Sequence, residues 1–164
     1  MARIFKQTQF NFLKSMPVIL IFLIALSGNS VIHIDFFSVN IHYILVYFWI
    51  LRKPQSLGYG FIFLSGIINE IVLGIPLGVS ALSLLILAAV AAYVRVLTVR
   101  ITLLNDWISF LPALLLANLI YFISLYFLNF SIDYLYLIQN SLFTFIFYPI
   151  LWLFFSLILN LTKI

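Results

Sequence analysis

No lysine or arginine occurs between Lys14 and Arg52, between Lys53 and Arg95, or between Arg100 and Lys163. Stretches of that length without a cation leave nothing to cover a water-facing surface. Only 7% of the residues are charged and 66% are hydrophobic, whereas a soluble domain carries roughly a quarter charged residues. A bilayer is the solvent that suits such a chain. Its hydrocarbon core of ~30 Å takes about 20 apolar residues per crossing helix. The 164 residues therefore divide into about six spans joined by short loops. The expected fold is all-α, a single polytopic membrane helix bundle over residues 1–164, with no soluble domain to house an active site.

Hydropathy gives a first span near Leu13 to Val31 and a second near Phe37 to Leu51. The third runs from Leu57 to Leu73 and the fourth from Val79 to Val96. The fifth covers Trp107 to Leu128 and the sixth Tyr136 to Leu161. The second and third are short, which calls for local bilayer thinning or burial by neighbours. The apolar run Met16 to Leu26 has the outline of a signal peptide but no clear small-x-small cleavage site, and reads as an uncleaved start signal.

The cations then orient the spans. Arg3, Lys6 and Lys14 precede span one, Arg52 and Lys53 follow span two, Arg95 and Arg100 follow span four, and Lys163 follows span six. Alternate connections hold every basic residue, so both termini are expected in the cytoplasm. The opposite connections hold His33, Asp35 and Asp133. The stretch from Leu97 to Asp106 is expected to be a charged turn or a short amphipathic helix on the inner leaflet. With the cations distributed this way, the net charge of +4 speaks for membrane lipid as the partner and not for nucleic acid.

The segment from Arg52 to Leu82 stands apart. Gly66, Glu70 and Gly74 follow one another in steps of four, which keeps them on one face of a helix. Gly78 would continue the series, but Pro76 is expected to end the helix and turn the chain. Small residues at this spacing let another helix approach closely, either within the bundle or from a partner. Glu70 reads as the only acid inside an apolar span, and a charge at that depth usually faces a cavity or a partner. Three roles stay open for it: a brace accepting bonds from backbone amides freed around Gly74, Ile75 and Pro76, a partner contact, or an ion or substrate contact.

Other residues carry less. His33, Asp35 and His42 lack the further ligand that would complete a metal set, and nothing resembles a nucleophile motif. No catalytic residue, metal or cofactor is expected, and the chain does not read as an enzyme. Cysteine is absent, which excludes disulfides and thiolate chemistry. Asn118 and Asn140 are expected to bridge helices by hydrogen bonds. Tyr43, Tyr47, Trp49, Tyr134, Tyr136, Tyr148 and Trp152 read as interfacial anchors or packing.

The same segment resembles a known family, the rod shape-determining protein MreD of bacteria. The elements that carry the resemblance are Arg52 and Pro54 after a short second span, then Gly58, Gly60 and Gly66, then Glu70 ahead of Gly74, Pro76, Gly78, Ala81 and Leu82. The family more often has Asp where this chain has Glu70. The resemblance implies a multi-pass protein of the bacterial cytoplasmic (inner) membrane that acts as a non-enzymatic scaffold. Its implied direct partner is an MreC-like protein. Its indirect partners are MreB, RodA and an elongation-class penicillin-binding protein, in the complex directing lateral peptidoglycan synthesis. Gly66, Glu70, Gly74, Pro76 and Gly78 are the expected partner-binding residues. The alternative is the substrate-binding membrane subunit of a small-molecule, vitamin-type transporter, with Glu70 as a ligand or ion contact and His33 and Asp35 as parts of a lid.

Overall fold

The computed structural model describes residues 15–28, 33–34, 37–98, 102–130 and 134–161. The first helix, α1, covers Ser15–Leu26. A two-residue antiparallel ladder follows, β1 (His33–Ile34) with β2 (Phe37–Ser38), pairing His33 with Ser38 and Ile34 with Phe37. The rest is helical: α2 (Ile41–Arg52), a 3-10 turn at Pro54–Ser56, α3 (Tyr59–Leu73), α4 (Val79–Leu97), α5 (Leu103–Phe127) and α6 (Tyr134–Leu161). Among the described residues, α4, α5 and α6 are the helices long and apolar enough to cross a membrane. The cations Arg3, Lys6, Lys14, Arg100 and Lys163, with Asp35 and Asp133, lie outside the described residues.

Local chemistry sets these elements. Asn40 caps α2, its side-chain oxygen accepting the Tyr43 N–H at 3.1 Å. Thr102 caps α5 in the same way through the Asn105 N–H at 3.4 Å. Pro54 opens the 3-10 turn, where its missing N–H costs nothing. Pro112 and Pro149 lie inside α5 and α6. Membrane helices tolerate such prolines because neighbouring groups satisfy the freed carbonyl.

Helix α2 is the axis of the bundle. Every residue from His42 to Leu51 is buried, as expected for a helix that is apolar all round. At 12 residues it is about 18 Å long, well short of a bilayer core. α4 and α6 pack against it, α4 also packs on α3 and α5, and α6 on α5. Aromatic rings fill the centre, with Tyr47 at 5.0 Å from Phe110 and Phe110 stacked at 4.5 Å on Tyr148. α1 joins this core through Ile21 and Ile24 and sets Phe22 edge-on to Phe61 of α3.

Hydroxyl groups stitch α2 and its cap to α3, α4, α5 and α6 by one repeated device. Tyr43 donates to Ser83 of α4 at 2.9 Å and Tyr47 to Ser109 of α5 at 2.9 Å. The Asn40 N–H donates to Thr144 of α6 at 2.8 Å. Each accepting hydroxyl passes its own proton to a carbonyl of its own helix, Ser83 to Ser80, Ser109 to Asn105 and Thr144 to Asn140. Ser65 of α3 does the same toward Ile62 at 2.8 Å, so at 3.1 Å from His42 its oxygen can only accept. That fixes the His42 tautomer with the proton on Nε2. The four hydroxyls that receive these protons each bond a carbonyl in turn, which suits a membrane interior.

Candidate functional site

Of the residues that carry the resemblance, Gly66, Glu70, Gly74, Pro76, Gly78 and Ala81 come together where α3 turns into α4, and Glu70 is the joint. The Glu70 main-chain oxygen accepts the N–H groups of Gly74 and Ile75, the latter at 3.2 Å, and so closes α3. Its carboxylate accepts the Gly78 N–H at 2.6 Å through Oε2 and the Ala81 N–H at 2.8 Å through Oε1, and so opens α4. Gly78, the N-cap of α4, has no side chain with which to cap it. Glu70 supplies that cap from the preceding helix. A carboxylate here also meets the positive end of the α4 dipole.

Glycine is required at both ends of the turn. Gly74 sits at φ 66° as the C-cap of α3 and Gly78 at φ 102°, in the left-handed region that side chains rarely adopt. The end of α3 is thus set by Gly74, with Pro76 two residues beyond it, the usual order at a helix C-terminus. Gly66 serves a different need. A Cβ there would collide with the Ala81 Cα and come within 2.8 Å of the Ala81 nitrogen. The small residues are therefore the condition for α3 and α4 to touch.

Glu70 and Gly66 face α4 of their own chain, and both are buried. Glu70 is fully buried, at 0% exposure, and both of its oxygens are engaged. The amides it holds are those of Gly78 and Ala81, a few residues beyond the Gly74 to Pro76 stretch expected from the sequence. Around this joint, Gly74 and the large side chains Ile71 and Leu77 lie open. A partner that meets the hairpin meets those residues first. Two buried atoms close to Glu70 in sequence or at its cap, Asn69 Oδ1 and Ser80 Oγ, have no hydrogen-bond partner.

A second polar centre lies at the other end of α2. Arg52 Nη2 is 3.6 Å from Asp106 Oδ2, which also accepts the Trp152 indole N–H at 2.7 Å. The guanidinium lies over the rings of Trp152, at 4.5 Å, and Phe48, at 5.1 Å, a geometry that adds cation–π attraction. Asp106 is 1% exposed and lies in the first turn of α5. This corrects the reading of Glu70 as the only acid in an apolar span and of Asp106 as the end of a polar loop. Leu103 to Asp106 already belong to α5. The signal was present in the Thr102 cap three residues ahead of Asn105, which starts the helix before the first long apolar run.

Asn118 bridges two helices as expected, donating to Ser141 of α6 at 2.7 Å, whereas Asn140 ties α6 to strand β2 instead of to a helix, donating to Ser38 at 2.8 Å. His42 is buried against Ser65. His33 contributes backbone to β1. The chain matches no protein-family model, no curated protein and no solved structure.

Proposed function

We propose that this chain is a six-span scaffold of the bacterial cytoplasmic membrane, with both termini in the cytoplasm. It acts without catalysis in the complex that directs lateral peptidoglycan synthesis and binds an MreC-like partner. The observation that carries the reading is the convergence of the resembling residues. Gly66, Glu70, Gly74, Gly78 and Ala81 form a single interlocked turn, and Arg52 of the same pattern anchors the far end of α2. The polar side chains of the core add support, because the hydrogen bonds of Glu70, His42, Tyr43 and Tyr47 hold helices to one another. In the same reading, α1, α2 and α3 cross as short spans shielded by the longer helices.

The test is affinity capture of the tagged protein from gently solubilised bacterial membranes, read by mass spectrometry. Co-recovery of an MreC-like protein with wall-synthesis enzymes is the expected result. Recovery of a transporter ATPase pair with its coupling protein would replace the scaffold by the vitamin-type carrier subunit.

A further inference from the structure

The ion pair of Arg52 with Asp106 is left open. Nε and Nη2 form one edge of a guanidinium, spaced to grip both oxygens of a carboxylate at about 2.7–2.9 Å. Here Nη2 stands 3.6 Å from Oδ2, and that oxygen already accepts the Trp152 indole N–H. Arg52 Nε and Asp106 Oδ1 are both buried, and among the described residues neither has a hydrogen-bond partner.

The Tyr148 hydroxyl is a third buried atom in the same condition, and packing brings it to the same place. Asp106 and Phe110 lie one turn apart on α5, as Tyr148 and Trp152 do on α6. Phe110 stacks on Tyr148 at 4.5 Å while Asp106 bonds Trp152 at 2.7 Å, so the two turns face each other. Arg52 covers Trp152 from α2, at 4.5 Å. The charges of Asp106 and Arg52 both act on the Tyr148 hydroxyl. Tyr148 is 0% exposed and Asp106 1%.

The chemistry of the three atoms selects what can join them. Arg52 Nε can only donate, a carboxylate oxygen can only accept, and the Tyr148 hydroxyl can do either. An anion placed among them would meet the Asp106 carboxylate, and a cation would meet the Arg52 guanidinium. A neutral molecule that both donates and accepts suits all three. Buried waters bond to two to four such otherwise unsatisfied groups, and a polar contact wider than 3.5 Å is where a bridging water belongs.

We infer that one buried water joins α2, α5 and α6 here, accepting from Arg52 Nε and the Tyr148 hydroxyl and donating to Asp106 Oδ1. The Arg52 side chain, 17% exposed, marks the side from which it enters. The site stands on these three helices and does not rest on the scaffold reading.

The test is a crystal structure of the full chain, grown from lipid at a resolution that shows ordered water, together with the unfolding midpoint of Tyr148→Phe in detergent. The expected result is a single water within hydrogen-bond distance of Arg52 Nε, Asp106 Oδ1 and the Tyr148 oxygen. Tyr148→Phe should lower the midpoint by about 2–4 °C, as the loss of one buried hydrogen bond predicts. A direct Nε to Oδ1 bond, a direct bond from the Tyr148 hydroxyl to Asp106, an ion in the site, or no density between the three atoms would overturn the inference. So would a Tyr148→Phe midpoint that is unchanged or raised, because removing a hydroxyl that has no partner costs nothing.

Discussion

Gly66 of α3 and Ala81 of α4 meet backbone to backbone, and the Ala81 N–H at that contact is the one Glu70 Oε1 accepts. Close approach and capping therefore depend on each other. The helices must touch for the carboxylate to reach the amide, and the bond holds them where only glycine fits.

Gly66→Ala should destabilise the protein by about 1–3 kcal/mol, because the new methyl meets main chain that cannot swing aside. Gly60→Ala, in the same helix with nothing within 4 Å of the added atom, should gain about 0.5–1 kcal/mol. Thermal unfolding of the two variants in detergent, compared with the parent, checks the pair. Equal effects would mean that α3 and α4 do not pack as described.

Glu70→Ala should leave two backbone amides without an acceptor, at about 1–3 kcal/mol each. Glu70→Gln keeps one acceptor oxygen and should lose roughly half as much. Glu70→Asp keeps the charge but is a methylene short of bridging Gly78 and Ala81, so it should fall between Gln and Ala. Hydrogen exchange at the Gly78 and Ala81 amides reads this directly, with faster exchange at both expected in the Ala variant.

Much of this joint was legible in the sequence. The spacing of Gly66, Glu70 and Gly74 announced a shared face, and an acid in apolar surroundings announced a need for donors. The boundaries of α4 and α6 also follow closely from hydropathy, because long apolar runs end at Gly78 and near Tyr134. What stayed hidden was which helix each polar residue meets. Ser65, Ser83, Ser109 and Thr144 look alike along the chain, and only the packing order shows that all four turn toward α2. Asp106 was misread for a related reason. A carboxylate at the edge of an apolar run resembles a loop residue until its partners, Arg52 and Trp152, are brought to it from 54 and 46 residues away.

Asp106→Ala should be among the most damaging single changes, at about 3–5 kcal/mol, since it strands the Arg52 guanidinium beside two aromatic rings. Combining it as Arg52→Met with Asp106→Leu should recover most of that loss, because an apolar pair of similar volume needs no desolvation. A double-mutant cycle on denaturation midpoints measures the difference. A double variant no better than Asp106→Ala would show that the ion pair itself, and not the stranded charge, sets the cost.

Ser80→Ala should be neutral or mildly stabilising. The Ser80 hydroxyl is buried without a partner, and replacing an unsatisfied polar group by an apolar one removes a desolvation penalty. Ser83→Ala, which removes the acceptor of the Tyr43 hydroxyl, should cost about 1–3 kcal/mol. Unfolding midpoints of the two serine variants in one detergent settle the contrast.

The enclosure of α2 also bears on how the chain is made. The helix is about 18 Å long and leaves the ribosome before α4, α5 and α6, the elements that supply its wrapping and most of its hydrogen-bond acceptors. Until they arrive, Tyr43 and Tyr47 have no hydroxyl to receive their protons and Arg52 has no carboxylate. The N-terminal third therefore has to wait, held by lipid, water or the insertion machinery, and the native centre of the molecule is completed only when the last helix, with Thr144 and Trp152, comes into place.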